Sequence, residues 1–102
     1  MQIVYEYVGI SASDTLEILI EKKLNNLEDK YPFIIRGDVF LKKENTKNGL
    51  GNVIDIRLSL KGPRIFASSN ENSYEKALSN TIDDLEDQLR KKKTQMLKRM
   101  SS

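Results

Sequence analysis

The sequence contains no cysteine, no histidine and no tryptophan among its 102 residues. The absence of cysteine excludes disulfide bonds and thiolate metal sites, and the absence of histidine removes the commonest general base and the commonest metal ligand. No apolar stretch approaches the roughly 20 residues that a membrane-spanning helix requires, and no basic run of a signal peptide opens the chain. We therefore expect a cytoplasmic protein with no membrane contact, no metal and no cofactor.

The charges are unevenly distributed along the chain, although the formal net charge is only +2. Residues 1–89 hold 11 basic and all 15 acidic residues, whereas residues 90–102 hold six basic residues and no acid. A basic end on a mildly acidic body predicts a polyanionic partner, either nucleic acid or acidic lipid. The alternative is a solvated, frayed helix end with no partner, because such tails are common.

The first half of the chain predicts a strand, a helix and a second strand. Residues 2–8 are rich in Val, Ile and Tyr and predict the strand, and apolar residues then recur at helical spacing over residues 14–29. Ser13 is a suitable N-cap for this helix, and Tyr31-Pro32 ends it because the residue before a proline avoids the helical conformation. Residues 33–44 form the second predicted strand.

The second half predicts two more strands and a closing helix. Strict alternation over residues 52–61 predicts a strand with one buried face, and Gly62-Pro63 predicts a turn into a strand over residues 64–69. Asn70 or Asn72 is the expected cap of the last helix. Its inner stripe is Tyr74, Ala77, Leu78, Thr81, Ile82, Leu85, Gln88 and Leu89. Turn residues fill the loop between the second and third strands at positions 45–51.

The order β-α-β-β-β-α predicts a two-layer α+β domain over residues 1–93, followed by a basic, frayed tail over residues 94–102. The first helix serves as a right-handed crossover between parallel strands, and short turns pair the later strands antiparallel. Both helices then cover one face of a four-stranded mixed sheet. The other face is expected to carry Phe40, Lys42, Arg57, Lys61, Arg64 and Phe66, a basic and aromatic set that suits either an ordinary wet face or single-stranded bases.

The sequence offers no convincing catalytic site. Asp83 and Asp87 lie four residues apart on one helical face and are able to bind a hard cation weakly, but a solvated helix face is the commoner role of such a pair. Asn48 to Gly51 contain two glycines in a loop that opens no helix, so they form no dinucleotide fingerprint. We expect a protein that is not an enzyme and takes no small-molecule substrate.

Several short strings, in shared order and spacing over some ninety residues, resemble one known family. They are Met1-Gln2-Ile3, Ser13-Asp14-Thr15-Leu16, Lys23-Leu24, Leu27-Glu28, Val39-Phe40-Leu41-Lys42, Asp55-Ile56-Arg57-Leu58, Gly62, Phe66-Ala67-Ser68 and the run from Leu85 to Lys93. The last is similar to the pattern L-x-x-Q-L-x-K-x-K of the short ribosome hibernation-promoting factors, also called ribosome-associated inhibitors or ribosomal subunit interface proteins, in the sigma-54 modulation protein family.

The resemblance implies a domain similar in layout to double-stranded RNA-binding domains. It implies binding to the small ribosomal subunit rRNA in the mRNA and tRNA channel, and inhibition of translation under stress or in stationary phase. It also implies a short, monomeric form that lacks the second domain of long members, so that any pairing of ribosomes would need a separate dimerising factor.

The resemblance further implies a set of RNA-binding residues. They are Lys22, Lys23, Lys42, Arg90, Lys91, Lys92 and Lys93. Lys23 matches a basic residue of the first helix, Lys42 a basic strand residue, and Lys91 with Lys93 the basic pair that ends the second helix. If both helices pack on one face, Lys23 is expected to lie beside Lys91 and Lys93 in one basic ridge.

Two positions depart from the family's pattern. Asn26 and Asp87 stand where the family usually has basic residues, and Lys22, Arg90 and Lys92 are the cations that can compensate. Two other classes stay open from the residues alone. One is a general double-stranded RNA-binding module, and the other is an α+β protein-interaction domain that binds no RNA. A salt-dependent affinity for RNA would separate these two classes.

Overall fold

The computed structural model describes residues 1–45 and 48–100. It contains β1 (Gln2–Val8), α1 (Asp14–Lys30), β2 (Ile34–Lys43), β3 (Asn52–Leu60), β4 (Gly62–Glu71) and α2 (Tyr74–Met100). The predicted order β-α-β-β-β-α is confirmed. Thr46 and Lys47 of the predicted loop and residues 101–102 of the predicted tail lie outside the described residues.

The four strands form one mixed sheet in the order β1-β2-β3-β4. β1 pairs parallel with β2, and the β2–β3 and β3–β4 pairs are antiparallel. The alternation along β2 is as predicted: Val39 and Leu41 are buried, whereas Phe40 and Lys42 lie on the other face and are partly exposed. The sheet therefore has one face covered by helices and one face open to solvent, which confirms the two-layer α+β arrangement.

A single hydrophobic core lies between the sheet and the two helices. α1 contributes Ile20, Leu24 and Leu27 to it, and the sheet and α2 supply most of the other members, which include Val39, Leu41, Ile54, Ile56, Leu58, Ala77, Leu78, Leu85 and Leu89. Each fully buried Leu or Ile side chain contributes about 1.5–3 kcal/mol relative to exposure. Because both helices share this core, they lie on the same face of the sheet.

The two helices begin at serine caps. Ser13 caps α1, as predicted, and its side chain accepts a hydrogen bond from the Leu16 backbone N–H at 3.3 Å. The prediction that Asn70 or Asn72 caps α2 is wrong, because the Ser73 hydroxyl accepts from the Lys76 N–H at 3.2 Å. The Asn70 side chain instead accepts from the Gly51 N–H at 2.6 Å, so it ties β4 to the loop before β3.

The turn between β3 and β4 is tighter than predicted. β4 begins at Gly62 and ends at Glu71, so only Lys61 separates it from β3, and the prediction of a strand confined to residues 64–69 is wrong at both ends. Gly62 has a φ of +124°, which glycine adopts readily, and Leu60 pairs with it. Pro63 follows on an edge strand, where a missing N–H costs little.

The two helices run in the same direction. α1 connects two parallel strands and therefore runs opposite to them, and α2 packs back along β4, which is parallel to β2. The Tyr74 hydroxyl at the start of α2 donates to the Lys42 carbonyl at the end of β2, at 2.7 Å. Both helix C-termini therefore lie at the end of the domain that holds the β3–β4 turn.

α2 is much longer than α1 and continues past the predicted domain boundary at Lys93. Its 27 residues span about 40 Å at 1.5 Å per residue, and every side chain from Lys93 to Met100 is exposed. Residues 94–100 are therefore helical, with exposed side chains. The division of the chain into a domain over residues 1–93 and a separate tail stays a prediction.

Candidate nucleic-acid interface

One end of the domain collects most of the basic residues of α2, together with the end of α1 and the β3–β4 turn. The Lys30 ammonium at the end of α1 lies 3.0 Å from a Glu86 carboxylate oxygen of α2, and the Lys93 ammonium lies 5.7 Å from the centre of the Tyr31 ring. We call this region the basic end. Its cations are Lys30, Lys61, Arg90, Lys91, Lys92, Lys93, Lys98 and Arg99.

The four consecutive cations of α2 point in different directions, because successive helical residues are turned by about 100°. Lys93 reaches Tyr31 at the end of α1. Lys92 is half-buried and faces a cavity beside the β3–β4 turn. Arg90 donates to a carboxylate oxygen of Asp87 at 3.0 Å, and Lys91 is exposed. The run therefore wraps around the helix and does not form a single flat face.

The Asp87 departure from the family's pattern has a local consequence. Asp87 and Arg90 are three residues apart, both side chains are 63% exposed, and they form an ion pair. An exposed pair of this kind contributes at most about 1 kcal/mol to stability. It does occupy the Arg90 guanidinium, so a phosphate must compete with Asp87 for this side chain. Arg90 is therefore a weaker candidate contact than Lys91.

The cations of α1 lie further from the end of α2 than expected. Lys22 and Lys23 are exposed, and neither forms an ion pair with a described residue. Lys23 precedes Tyr31 by eight residues, which places it about 12 Å along the helix axis from the ring that Lys93 contacts. Lys30 lies seven residues after Lys23, on the same face of α1 and at the Tyr31 end of this interval, where its ammonium pairs with Glu86. Any basic ridge therefore passes through Lys30.

Lys42 is separated from the other candidate residues. It lies on the open face of the sheet, where its ammonium is 2.7 Å from a carboxylate oxygen of Asp55. This hydrogen bond, together with the negative charge of Asp55, raises the pKa of Lys42 above its ordinary value. The Ser68 hydroxyl donates to the other oxygen of Asp55. Lys42 is thus part of a paired network on the face opposite to the helices.

Two further cations of the open face have partners, whereas Arg64 is exposed and forms no ion pair with a described residue. The Arg57 guanidinium lies 5.7 Å from the centre of the Phe40 ring, and the Arg36 guanidinium donates to Asp38 at 3.0 Å. Phe66 is 53% exposed and is therefore the open ring that could receive a base. With one such aromatic and fewer cations than the basic end, this face is the weaker candidate for binding nucleic acid.

The sequence pattern predicts Lys61 on the open sheet face and gives no role to Arg99. The structure places both in the lining of the cavity that Lys92 faces. The sequence did contain a signal that places Lys61 near the end of the last helix, because Lys61 precedes the Gly62-Pro63 turn between the third and fourth strands. In the predicted topology that turn lies at the same end as the C-terminus of the last helix.

The arrangement suits electrostatic binding of a polyanion. Within residues 1–45 and 48–100, no three acidic residues are grouped so as to hold a metal ion. In the same described ranges, no helix is both long and apolar enough to cross a membrane. Helix-borne lysine and arginine side chains neutralise phosphates and release their counterions. Such contacts read the shape and backbone of folded RNA, whose deep groove hides the base edges.

The family model for "Sigma 54 modulation protein / S30EA ribosomal protein" matches residues 3–97 of the chain. The chain belongs to this family. The match spans both helices and all four strands, so it includes the basic end up to Leu97. No curated protein sequence matches the chain.

Two solved structures of similar fold come from bacteria. A ribosomal subunit interface protein from Coxiella burnetii is 24% identical, with a TM-score of 0.80, and the match covers 92% of this chain and 99% of that chain. The N-terminal domain of Protein Y from Thermus thermophilus is 20% identical, with a TM-score of 0.75, and the match covers 89% of this chain and 98% of that one. At these identities the likeness establishes the fold alone.

Proposed function

We propose that this member of the S30EA family is a ribosome hibernation factor. It binds the small-subunit rRNA in the channel that mRNA and tRNA use, and so inhibits translation under stress or in stationary phase. The observation that carries this proposal is the concentration of cations at the basic end of a chain that belongs to a family of ribosome-associated proteins.

The chemistry of the basic end supports an RNA partner over a protein partner. Lys91 is exposed and forms no ion pair with a described residue, so its charge is available to phosphate, and the same holds for Lys23, which lies on α1 outside the basic end. Lys93 lies against the face of an aromatic ring and forms no ion pair with a described residue, which leaves its ammonium able to donate hydrogen bonds. Long cationic side chains on a helix can follow the irregular path of an RNA backbone without any base-specific contact.

The proposal has consequences for partners and location. The protein acts as a cytoplasmic monomer, takes no small-molecule substrate and requires no cofactor.

Co-sedimentation with purified small subunits tests this proposal. Protein should pellet at about one copy per subunit and should block cell-free translation over the same concentration range. If about six cations contact phosphate, log affinity should fall with log salt at a slope of roughly −4 to −5. Protein that stays in the supernatant at low salt would show that the proposed function is wrong.

Competition separates ribosome binding from general RNA binding. A short RNA duplex with no ribosomal sequence should displace the protein from small subunits only at a large excess. Equal affinity for the duplex and the subunit would identify a general double-stranded RNA-binding module instead. No affinity for either would leave an α+β protein-interaction domain.

A further inference from the structure

A cavity of about 160 Å³ lies between the β3–β4 turn and the C-terminal third of α2. Its polar lining consists of Lys61, Lys92, Gln95 and Arg99, and its apolar walls include Phe33 and Met96. The two sides of the cavity come from segments about thirty residues apart in sequence. The antiparallel β3–β4 pair and the packing of α2 on β4 bring these segments together.

The lining carries three positive charges and, among the described residues, no carboxylate. Neither Lys61 nor Lys92 forms a hydrogen bond or an ion pair with a described residue through its side chain. Lys92 is half-buried, whereas its neighbours Lys91 and Lys93 are exposed. An anion in this cavity would therefore meet two ammonium groups that no described side chain occupies, and charge-assisted hydrogen bonds to them would be available.

The geometry of the cavity is fixed by its two elements before any ligand arrives. Lys61 is the single residue between two paired strands, and the φ of +124° at Gly62 and the ring of Pro63 restrict the backbone that follows it. Lys92 and Gln95 lie three residues apart on α2, which places them on neighbouring positions of one helical face. The Gln95 amide therefore lies where it can add a neutral donor to the two ammonium groups.

The size of the cavity limits what it can hold. Pockets for drug-sized ligands and cofactors usually exceed about 300 Å³, so a cavity of about 160 Å³ suits a small anion better than a whole nucleotide. A single tetrahedral phosphate group with its remaining water is the anion that matches both the charge and the volume.

We propose that this cavity binds a phosphate group, held by Lys61 and Lys92 with Gln95 and Arg99 at its margin. Two sources share this chemistry: a backbone phosphate of RNA and free inorganic phosphate. Where the phosphate belongs to rRNA, the inference rests on the proposed function and extends the RNA contact from the helices to the β3–β4 turn. Where it is free phosphate, the inference stands independently of ribosome binding.

The test compares wild-type protein with K61Q/K92Q, which removes both lysine charges and keeps the length of the side chains nearly unchanged. The matched control is K43Q/K76Q, which removes two charges from exposed lysines at the opposite end of the domain. In the first arm, inorganic phosphate is titrated at constant ionic strength and backbone amide chemical shifts are followed. In the second arm, the salt dependence of small-subunit binding is measured for all three proteins.

We expect phosphate, but not chloride, to shift the amides around the β3–β4 turn and Lys92 in the wild type and in the control. These shifts should be absent in K61Q/K92Q. If an RNA phosphate occupies the cavity, the slope of log affinity against log salt should be shallower by about 0.7 to 0.9 in K61Q/K92Q, which is roughly five- to eight-fold weaker binding at 0.1 M salt.

The outcomes distinguish the two sources and the two proposals. Phosphate-dependent shifts with an unchanged salt slope would assign the cavity to free phosphate. No phosphate-dependent shift in the wild type and no change of slope in K61Q/K92Q would overturn the inference. Failure of the wild-type protein to bind small subunits would refute the proposed function, whereas the phosphate titration would still decide whether the cavity is an anion site.

Discussion

Charge reversal at three lysines, K23E/K91E/K93E, tests the helical surface directly. The three side chains are exposed, one on α1 and two on α2. Each reversal changes the charge by two, so the formal net charge moves from +2 to −4. If this surface faces RNA, the variant replaces three phosphate contacts with three repulsions, while the core of the domain remains intact.

The expected loss of stability is small and follows from the contacts of each lysine. Lys23 and Lys91 have no ion-pair partner among the described residues, so each change should alter the free energy of unfolding by no more than about 0.5 kcal/mol. Lys93 loses its contact with the Tyr31 ring, which at an exposed site is worth about 0.5–1 kcal/mol. A total near 1 kcal/mol lowers the Tm by about 4–8 °C.

The expected loss of binding is much larger. With six contacts the salt slope is roughly −4 to −5, and removal of three contacts reduces it to roughly −2 to −3. At physiological salt the remaining affinity should fall below detection in co-sedimentation, because the three glutamates also repel phosphate. The assays are co-sedimentation at several salt concentrations, cell-free translation, and thermal unfolding followed by circular dichroism.

A control variant with the same net charge separates local contact from overall charge. R36E/K43E/K76E reverses three cations outside the basic end and loses two ion pairs and one hydrogen bond of partly exposed side chains. It should retain most of the binding. If K23E/K91E/K93E inhibits translation as fully as the wild type, the helical surface is the wrong one, and the sheet face with Lys42, Arg57 and Arg64 becomes the next to test.

Three further predictions concern other parts of the domain. D83N/D87N should preserve or tighten subunit binding in the same assay, because it removes two negative charges near phosphate and frees the guanidinium that now pairs with Asp87. Burial raises the pKa of Tyr5 to about 12, so stability that is present below pH 10 should decline as the pH rises towards 12, and Tyr5→Phe should weaken this decline in pH-dependent denaturation curves. Gly51→Ala should cost at least about 1–3 kcal/mol in urea denaturation without weakening binding by the folded protein, because Gly51 has a φ of +120° and a Cβ there would overlap the Glu44 carbonyl oxygen.

The fold was predictable because each element carries a strong local signal. Alternation along β3 and the apolar stripes of both helices specify which faces are buried, and Ser13 and Pro32 bound α1. The errors arose where tertiary contacts compete with local preference. Asn70 has the chemistry of a helix cap, but its side chain is engaged by the Gly51 N–H across the sheet, and Ser73 caps α2 instead.

The candidate site was less predictable, because it depends on directions that a one-dimensional pattern does not give. In the sequence, the consecutive cations Lys91, Lys92 and Lys93 predict one basic patch. The helix instead directs Lys91 to solvent, Lys92 to the cavity and Lys93 to the end of α1. Strand alternation did predict that Lys42 lies on the face opposite to the helices, but it did not predict that the Lys42 ammonium pairs with Asp55. The position of Lys61 in the cavity depends on the exact residue at which the chain turns between β3 and β4. The sequence pattern predicted that turn at Gly62-Pro63, whereas the structure has it at Lys61.

The common direction of α1 and α2 has an electrostatic consequence for the basic end. Each helix carries the equivalent of about half a negative charge at its C-terminus, and both C-termini lie on this side of the domain. The peptide groups there repel phosphate, in contrast to the helix N-termini that many phosphate sites use. All attraction for a polyanion must therefore come from side chains, which also neutralise the helix ends. Acetylation of those lysines would thus remove most of the attraction for phosphate without moving the backbone, and would leave Arg90 and Arg99 as the cations of the basic end.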